Sequence, residues 1–262
     1  MTRHNKEDID LAIGFIQKAI SLDNELLKAK NYMAWIYLER DDADKAINIL
    51  KDNLKQAEKN GDKRMIAETL MLTGKASIGY DDNEALNYFK RALQISEENN
   101  NKGLIGDAFA SMGSIYAFRK GNYEKGLDYI KRTLIIAEEL DVKEHKGFCL
   151  MLIGDLLQKS GESEQSLVYF NRAMKIFKED ENERNISLNR ISIGVNYFNK
   201  GNYALAEEYF KETFDSQKKI EFRPGYLYTL TYLLLSNKNL SKEYDDKEIY
   251  TLIKETGIIL YE

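Results

Sequence analysis

The chain has 262 residues, 43% apolar and 31% charged, with a formal net charge of −5. That balance can bury a sizeable core and excludes a disordered polar chain; it also lacks the clustered Lys and Arg needed to grip phosphates, so no nucleic-acid partner is expected. Pro224 is the single proline and Cys149 the single cysteine, which excludes an internal disulfide and leaves nearly the whole sequence open to helix.

The first residues, Met1 to Asp8, are polar and lack the apolar core of a signal peptide, and no run of 18 apolar residues follows. A cytoplasmic chain without membrane contact is the expectation. Residues 9–22 place Ala12, Ile16 and Ala19 on one helical face, as the second helix of a pair would.

From there a unit repeats. Gly74, Gly113, Gly154 and Gly194 recur 39, 41 and 40 residues apart, and Ala34 extends the series 40 residues upstream. Three residues after these small positions come Tyr37, Tyr116, Leu157 and Tyr197, with Ser77 the exception. In register with that row run the small residues Ala46, Ala85, Gly126, Ser166 and Ala206. The bulky Leu50, Phe89, Ile130, Phe170 and Phe210 stand four positions later, and Asn53, Ala92, Thr133, Ala173 and Thr213 three positions after those. Positions i, i+4 and i+7 share a helix face, so a second helix offers a notch, a knob and another notch to the first.

Turn signals separate the two helices of each unit: Asp41-Asp42, Asp81-Asp82-Asn83, Gly121-Asn122, Gly161-Glu162-Ser163 and Gly201-Asn202. Gly or Asn tolerates a left-handed helix end, and Asn, Asp or Ser caps the next helix. The expected organisation is one solenoid over 1–262: a half unit at 9–22, units at 27–57, 62–99, 102–140, 142–179 and 182–219, and a degenerate terminal unit at 222–261.

A small residue, Tyr three on, Gly-Asn-Tyr, then Ala, Phe and Ala or Thr together resemble the tetratricopeptide repeat, over roughly residues 9–238. The spacing near 40 resembles the longer-helix variant found in bacterial Rap-type regulators and kinesin light chains. The early tryptophan of that repeat is replaced by Leu70, Phe109, Leu150 or Arg190, and its closing proline is absent. The resemblance implies an all-α fold, an α-α superhelix of antiparallel helix pairs, acting as a protein-interaction scaffold that holds a peptide or helix of a partner in a concave groove, without catalysis or cofactor. The second reading is a peptide-responsive sensor module of a bacterial signalling system.

The resemblance also implies which residues face the groove: Tyr32, Trp35 and Leu38; Leu72, Lys75 and Ile78; Ser111, Ser114 and Ala117; Leu152, Asp155 and Gln158; Ser192, Val195 and Phe198. Phe118, Lys159 and Asn199 are expected on the rim. Asn31 and Lys75 do not complete the cationic clamp by which some tetratricopeptide proteins hold a C-terminal carboxylate.

No catalytic motif stands out. His145 and Cys149 are four apart on one helix, but two ligands do not close a metal site, and a surface His beside a partly buried Cys is the expected arrangement. The final Ile258-Ile259-Leu260-Tyr261 run is more apolar than one helix face can bury, which points to a continuing chain, a fold-back, or a homo-oligomer contact.

Overall fold

The computed structural model describes residues 3–23, 26–219 and 225–240. Its regular elements are helices: α1 (Arg3–Leu22), α2 (Leu27–Glu39), α3 (Ala43–Asn60), α4 (Lys63–Ser77), α5 (Asp82–Glu98), α6 (Lys102–Ser114), α7 (Tyr123–Glu139), α8 (Lys143–Lys159), α9 (Ser163–Glu179), α10 (Glu183–Asn199), α11 (Tyr203–Lys219) and α12 (Tyr226–Asn239). A π turn, Ile115–Arg119, continues α6. The apolar run at 258–261 lies outside the described residues.

The chain divides into two compact units, Met1–Leu140 and Asp141–Glu262. In the first, α2 packs on α3, α4 on α5 and α6 on α7; in the second, α8 packs on α9, α10 on α11, and α12 on α11. Each unit is a stack of helix pairs.

The connections explain the tight reversals. From α2 to α11 each is two to four residues long and contains one residue in the left-handed region, among them Asp41 (φ 56°), Gly79 (φ 89°), Asn100 (φ 51°), Gly161 (φ 87°) and Gly201 (φ 76°). A cap follows: the Asp42, Asp62, Asn101, Asn122, Asn182 and Asn202 side chains each accept from a backbone N–H three residues on. Such a cap satisfies one otherwise orphaned donor and is worth about 1 kcal/mol.

Helix pairs close on the two rows of small residues. A Cβ added at Gly74 would lie 2.6 Å from the Phe89 ring, and one at Gly194 would lie 2.8 Å from the Phe210 ring. Phe89, Phe170 and Phe210 are fully buried. Only a residue without a side chain lets the aromatic knob seat there.

Buried polar side chains add register. Asn31 Oδ1 accepts from Asn53 Nδ2 (2.8 Å) and Thr69 Oγ1 (3.1 Å), while Asn53 Nδ2 also reaches the Leu27 carbonyl (2.9 Å). One network thus ties α2, α3 and α4. In the second unit Asn189 donates to the Phe170 carbonyl (2.8 Å), and Asn196 to the Ser163 carbonyl (3.1 Å) and the Ser166 hydroxyl. A buried amide misplaced by one residue would lose these partners at a cost of about 1–3 kcal/mol.

Two repeats depart from the common spacing. From the small residue of the first helix to that of the second, the count is 12 (Ala34 to Ala46), 11 (Gly74 to Ala85), 13 (Gly113 to Gly126), 12 (Gly154 to Ser166) and 12 (Gly194 to Ala206). The structure absorbs the missing residue by ending α4 at Ser77 with Ile78 extended (ψ 127°). It absorbs the extra one as the π turn, in which the Lys120 N–H bonds the Ile115 carbonyl five residues back. Both corrections fall on expected groove positions. Ile78 leaves the helix. Ala117 rotates into the core, where its Cβ fills the space a Gly126 side chain would need, and Phe118 becomes the half-exposed residue instead.

Candidate protein-binding site

Odd-numbered and even-numbered helices differ in burial. Along α3, α5, α7, α9 and α11 one narrow stripe is buried, whereas about half the residues of α2, α4, α8 and α10 are buried; α2, α4 and α10 each pack against odd-numbered helices on two sides. What remains open on an even helix is a thin row, and the expected groove residues fall on it: Tyr32 and Trp35 are exposed, Lys75 is exposed, and Leu38, Leu72, Ser111, Ser114, Leu152, Asp155, Gln158, Ser192, Val195 and Phe198 are partly exposed.

In the first unit this row frames a cavity of about 430 Å³ between α2, α4 and the start of α6. Tyr32, Trp35, Leu72 and Lys75 line it, joined by Met71 and Leu104 as apolar floor and by Lys28, Arg64, Glu68 and Asp107. Trp35 is 48% exposed and Tyr32 53% exposed. Arg64 and Glu68 form an i,i+4 ion pair (2.8 Å), and the Lys28 ammonium sits 5.9 Å from the Tyr32 ring centroid. Lys75 makes no ion pair among the described residues. The arrangement is an apolar-aromatic trough edged by charges of both signs. Asn31 also borders it, but its amide is committed to the α2–α3–α4 network. Leu38 packs instead beside the Ala34–Leu50 core, and Ser114 turns its hydroxyl back to the Ala110 carbonyl (2.9 Å).

In the second unit the row gathers a different set. Burial pushes the carboxyl of Asp155 on α8 up to about 6, and Ser192 of α10 and Lys159, one turn along α8, only partly oppose the rise. Tyr228 of α12, which is 47% exposed, has its hydroxyl pushed well above the ordinary phenol range by burial, by a hydrogen bond with Tyr232 and by the Asp155 charge. Phe198 stacks edge-on with Tyr232 (centroids 5.3 Å) and Tyr203 (5.2 Å), and Tyr228 lies 4.8 Å from Tyr232. Tyr228 and Tyr232 were not among the expected site residues. The signal was available, since residues 225–238 read as a first helix, but that helix lacks the small residue from which groove positions are counted. Leu152, Gln158 and Val195 are placed on this face without joining the cluster.

His145 is exposed and Cys149 buried. Among the described residues no group of three or more His, Cys, Asp or Glu is placed to hold a metal, and no helix is long and apolar enough to cross a membrane.

Residues 105–179 match the tetratricopeptide repeat family. Tetratricopeptide repeat protein 29 of Macaca fascicularis is 23% identical over 154 residues, which cover 59% of this chain and 32% of that protein. A STAND (signal transduction ATPase with numerous domains) protein with a tetratricopeptide repeat sensor, from Pyrococcus horikoshii, superposes with a TM-score of 0.74 at 22% identity, over 94% of this chain and 40% of that one. The apo form of RapI superposes with a TM-score of 0.70 at 18% identity, over 96% and 95% of the two chains. This chain therefore spans less than half the length of the first two, and at these identities the structural likeness speaks for the fold. Repeat residues, helix pairing and family match agree: residues 105–179 carry tetratricopeptide repeats, and the chain has a tetratricopeptide-like fold of helix pairs.

Proposed function

We propose that this chain is a protein-interaction scaffold that holds a peptide or helical segment of a partner along the open row of its first helices, with Trp35 as the principal anchor point. The observation that carries this reading is the trough of about 430 Å³ in which Trp35 and Tyr32 are exposed and Leu72 is partly so. Solvent-facing aromatic side chains grouped in a concavity are where interface energy concentrates, and a rigid helical wall loses little entropy on binding. The wall also carries charges at its edges, which orient a chain without dominating its affinity. Binding here is equilibrium recognition with no bond made or broken; a partner with an aromatic or aliphatic anchor fits the floor. The test is capture from a lysate of the source organism on the immobilised chain, beside a Trp35→Ala, Leu72→Ala variant. A partner retained by the parent and lost from the variant supports the reading; equal retention removes the trough from the interface.

The sensor reading has one specific support, the likeness in fold to a chain described as a tetratricopeptide repeat sensor. It requires that a bound peptide change the dimensions of the chain. Small-angle scattering with and without saturating peptide decides it, since unchanged dimensions leave only the scaffold.

A further inference from the structure

In α4, α6 and α8 the residue four positions before the repeat glycine is apolar, namely Leu70, Phe109 and Leu150; in α10 it is Arg190. Leu70 and Leu150 are buried, and Phe109 lies against the Tyr129 ring (centroids 6.0 Å). The guanidinium that stands in their place is mostly withdrawn from water, its side chain 22% exposed. Such a charge is costly unless new partners replace its hydration. Its one ion-pair partner among the described residues is Glu212 of α11, with Nε 3.6 Å from Oε2, a separation too long for a hydrogen bond. No N–H of Arg190 makes a hydrogen bond among the described residues.

Beside Arg190 lies a cavity of about 290 Å³ bounded by α9, α10 and α11, at the lower end of the range for small-molecule sites. Its apolar lining includes Met174 and the buried Ile193, and the Tyr209 ring, stacked on Tyr197 (centroids 5.7 Å), closes one side. The flanking helices bring opposite charges, Lys178 from α9 and Glu208 with Glu212 from α11. Lys178 and Glu208 form no ion pair among the described residues, and the Asn171 amide has no hydrogen-bond partner there. The cavity thus holds unmet donors on Arg190, Lys178 and Asn171 and unmet acceptors on the α11 carboxylates. A simple anion would leave those carboxylates bare, and a simple cation would leave the guanidinium bare. A molecule with both charges on neighbouring atoms satisfies both: a carboxylate takes the planar donors of Arg190, and an ammonium bonds Glu212. The head group of an α-amino acid carries these two charges on either side of a single carbon, complementary to the close Arg190–Glu212 pair.

We infer that this cavity binds a free α-amino acid, with Arg190 on the α-carboxylate, Glu212 on the α-ammonium, and the ligand side chain against Met174 and Ile193. The residues are separate from the Trp35 trough, and the inference does not rest on the scaffold reading.

The experiment screens each standard amino acid at millimolar concentration against the full chain by proton–nitrogen correlation NMR, following the Arg190 Nε–H signal, which is identified by its loss in Arg190→Leu. That substitution restores the residue type of the other repeats, and circular dichroism checks that the variant folds. At least one amino acid is expected to shift the signal saturably. Its amide, which lacks the carboxylate, and its N-acetyl derivative, which lacks the ammonium, should each bind about tenfold or more weakly, the scale of one lost charge-assisted contact. Arg190→Leu should abolish binding, and Glu212→Gln, which keeps the shape and leaves Arg190 in place, should weaken it by a similar factor. No saturable shift with any amino acid overturns the inference. So does binding retained in Arg190→Leu, unchanged affinity in Glu212→Gln, or an N-acetyl derivative that binds as tightly as its parent, which would make the cavity a simple carboxylate site. Emission of Trp35, recorded in the same samples, reports the trough separately, so either site can fail without the other.

Discussion

Trp35 and Asp155 occupy the same place in their repeats, one residue after the small residue of the first helix, yet one is a half-exposed aromatic in a trough and the other an acid whose proton affinity is raised by burial. Lys75, Ser114 and Val195 hold that place in the remaining repeats. The repeat leaves this position exposed or partly exposed in all five units. It does not decide what chemistry stands there. Fold and binding preference are written in separate residues of the same helix, which is how one repeat architecture serves unrelated partners.

That separation can be broken from either side. The largest effect belongs to the shared scaffold: Phe170→Ala removes a fully buried knob and is expected to destabilise the chain by about 3–5 kcal/mol, read as a lowered midpoint in chemical denaturation. If the variant kept its parent's midpoint, the knob-and-glycine account of pairing would fail.

Asp155→Asn works in the opposite direction. The folded carboxyl titrates at about 6 against 3.8 for the free side chain, so the folded state binds the proton more tightly than the unfolded one. Stability contributed by the protonated form is fully present below about pH 3.8 and is lost as pH rises through about 6. Replacing Asp155 by the neutral amide removes that loss. At pH 7 the variant is expected to be more stable than the parent by up to about 3 kcal/mol, the scale of a shift of this size, and the difference should vanish near pH 3.5. Parallel stability curves for the two proteins across this range would show that Asp155 is not held out of water.

Asn53→Ala tests the buried network of the first unit. It removes the amide's bonds to the Leu27 carbonyl and to Asn31 Oδ1, at a cost of about 1–3 kcal/mol; thermal unfolding monitored by circular dichroism measures it. Trp35→Ala is the smallest in stability, under about 1 kcal/mol for a half-exposed side chain, and this small effect on folding is the point: a residue that contributes so little to the core is free to contribute to a partner.

The periodic rows made the helix pairs legible, because a residue packed against a second helix must be small wherever its neighbour is an aromatic knob. Gly154 beside Phe170 and Gly194 beside Phe210 are visible in sequence for that reason. The capping Asn and Asp residues were legible as well, since a two-residue reversal leaves few alternatives. What escaped was register. One residue fewer between Gly74 and Ala85, and one more between Gly113 and Gly126, moved Ile78 out of its helix and turned Ala117 inward. A spacing shows that an insertion exists but not whether a loop or a π turn takes it up. The Asp155 environment escaped for a different reason: the burial that raises the carboxyl's affinity for its proton, and the Ser192 hydroxyl that opposes it, exist only once α8 and α10 are side by side.

Trp35 is the single tryptophan, so the trough carries its own reporter. Peptides selected from a random display library against the immobilised chain, with the Trp35→Ala, Leu72→Ala variant used to discard everything that binds elsewhere, would be synthesised and titrated while Trp35 emission is recorded. The scaffold account predicts selected sequences with an aromatic or aliphatic anchor and a saturable blue shift of Trp35 as the peptide covers it. Selected peptides that bind parent and variant alike, or that saturate the chain without moving the Trp35 emission, would contradict it.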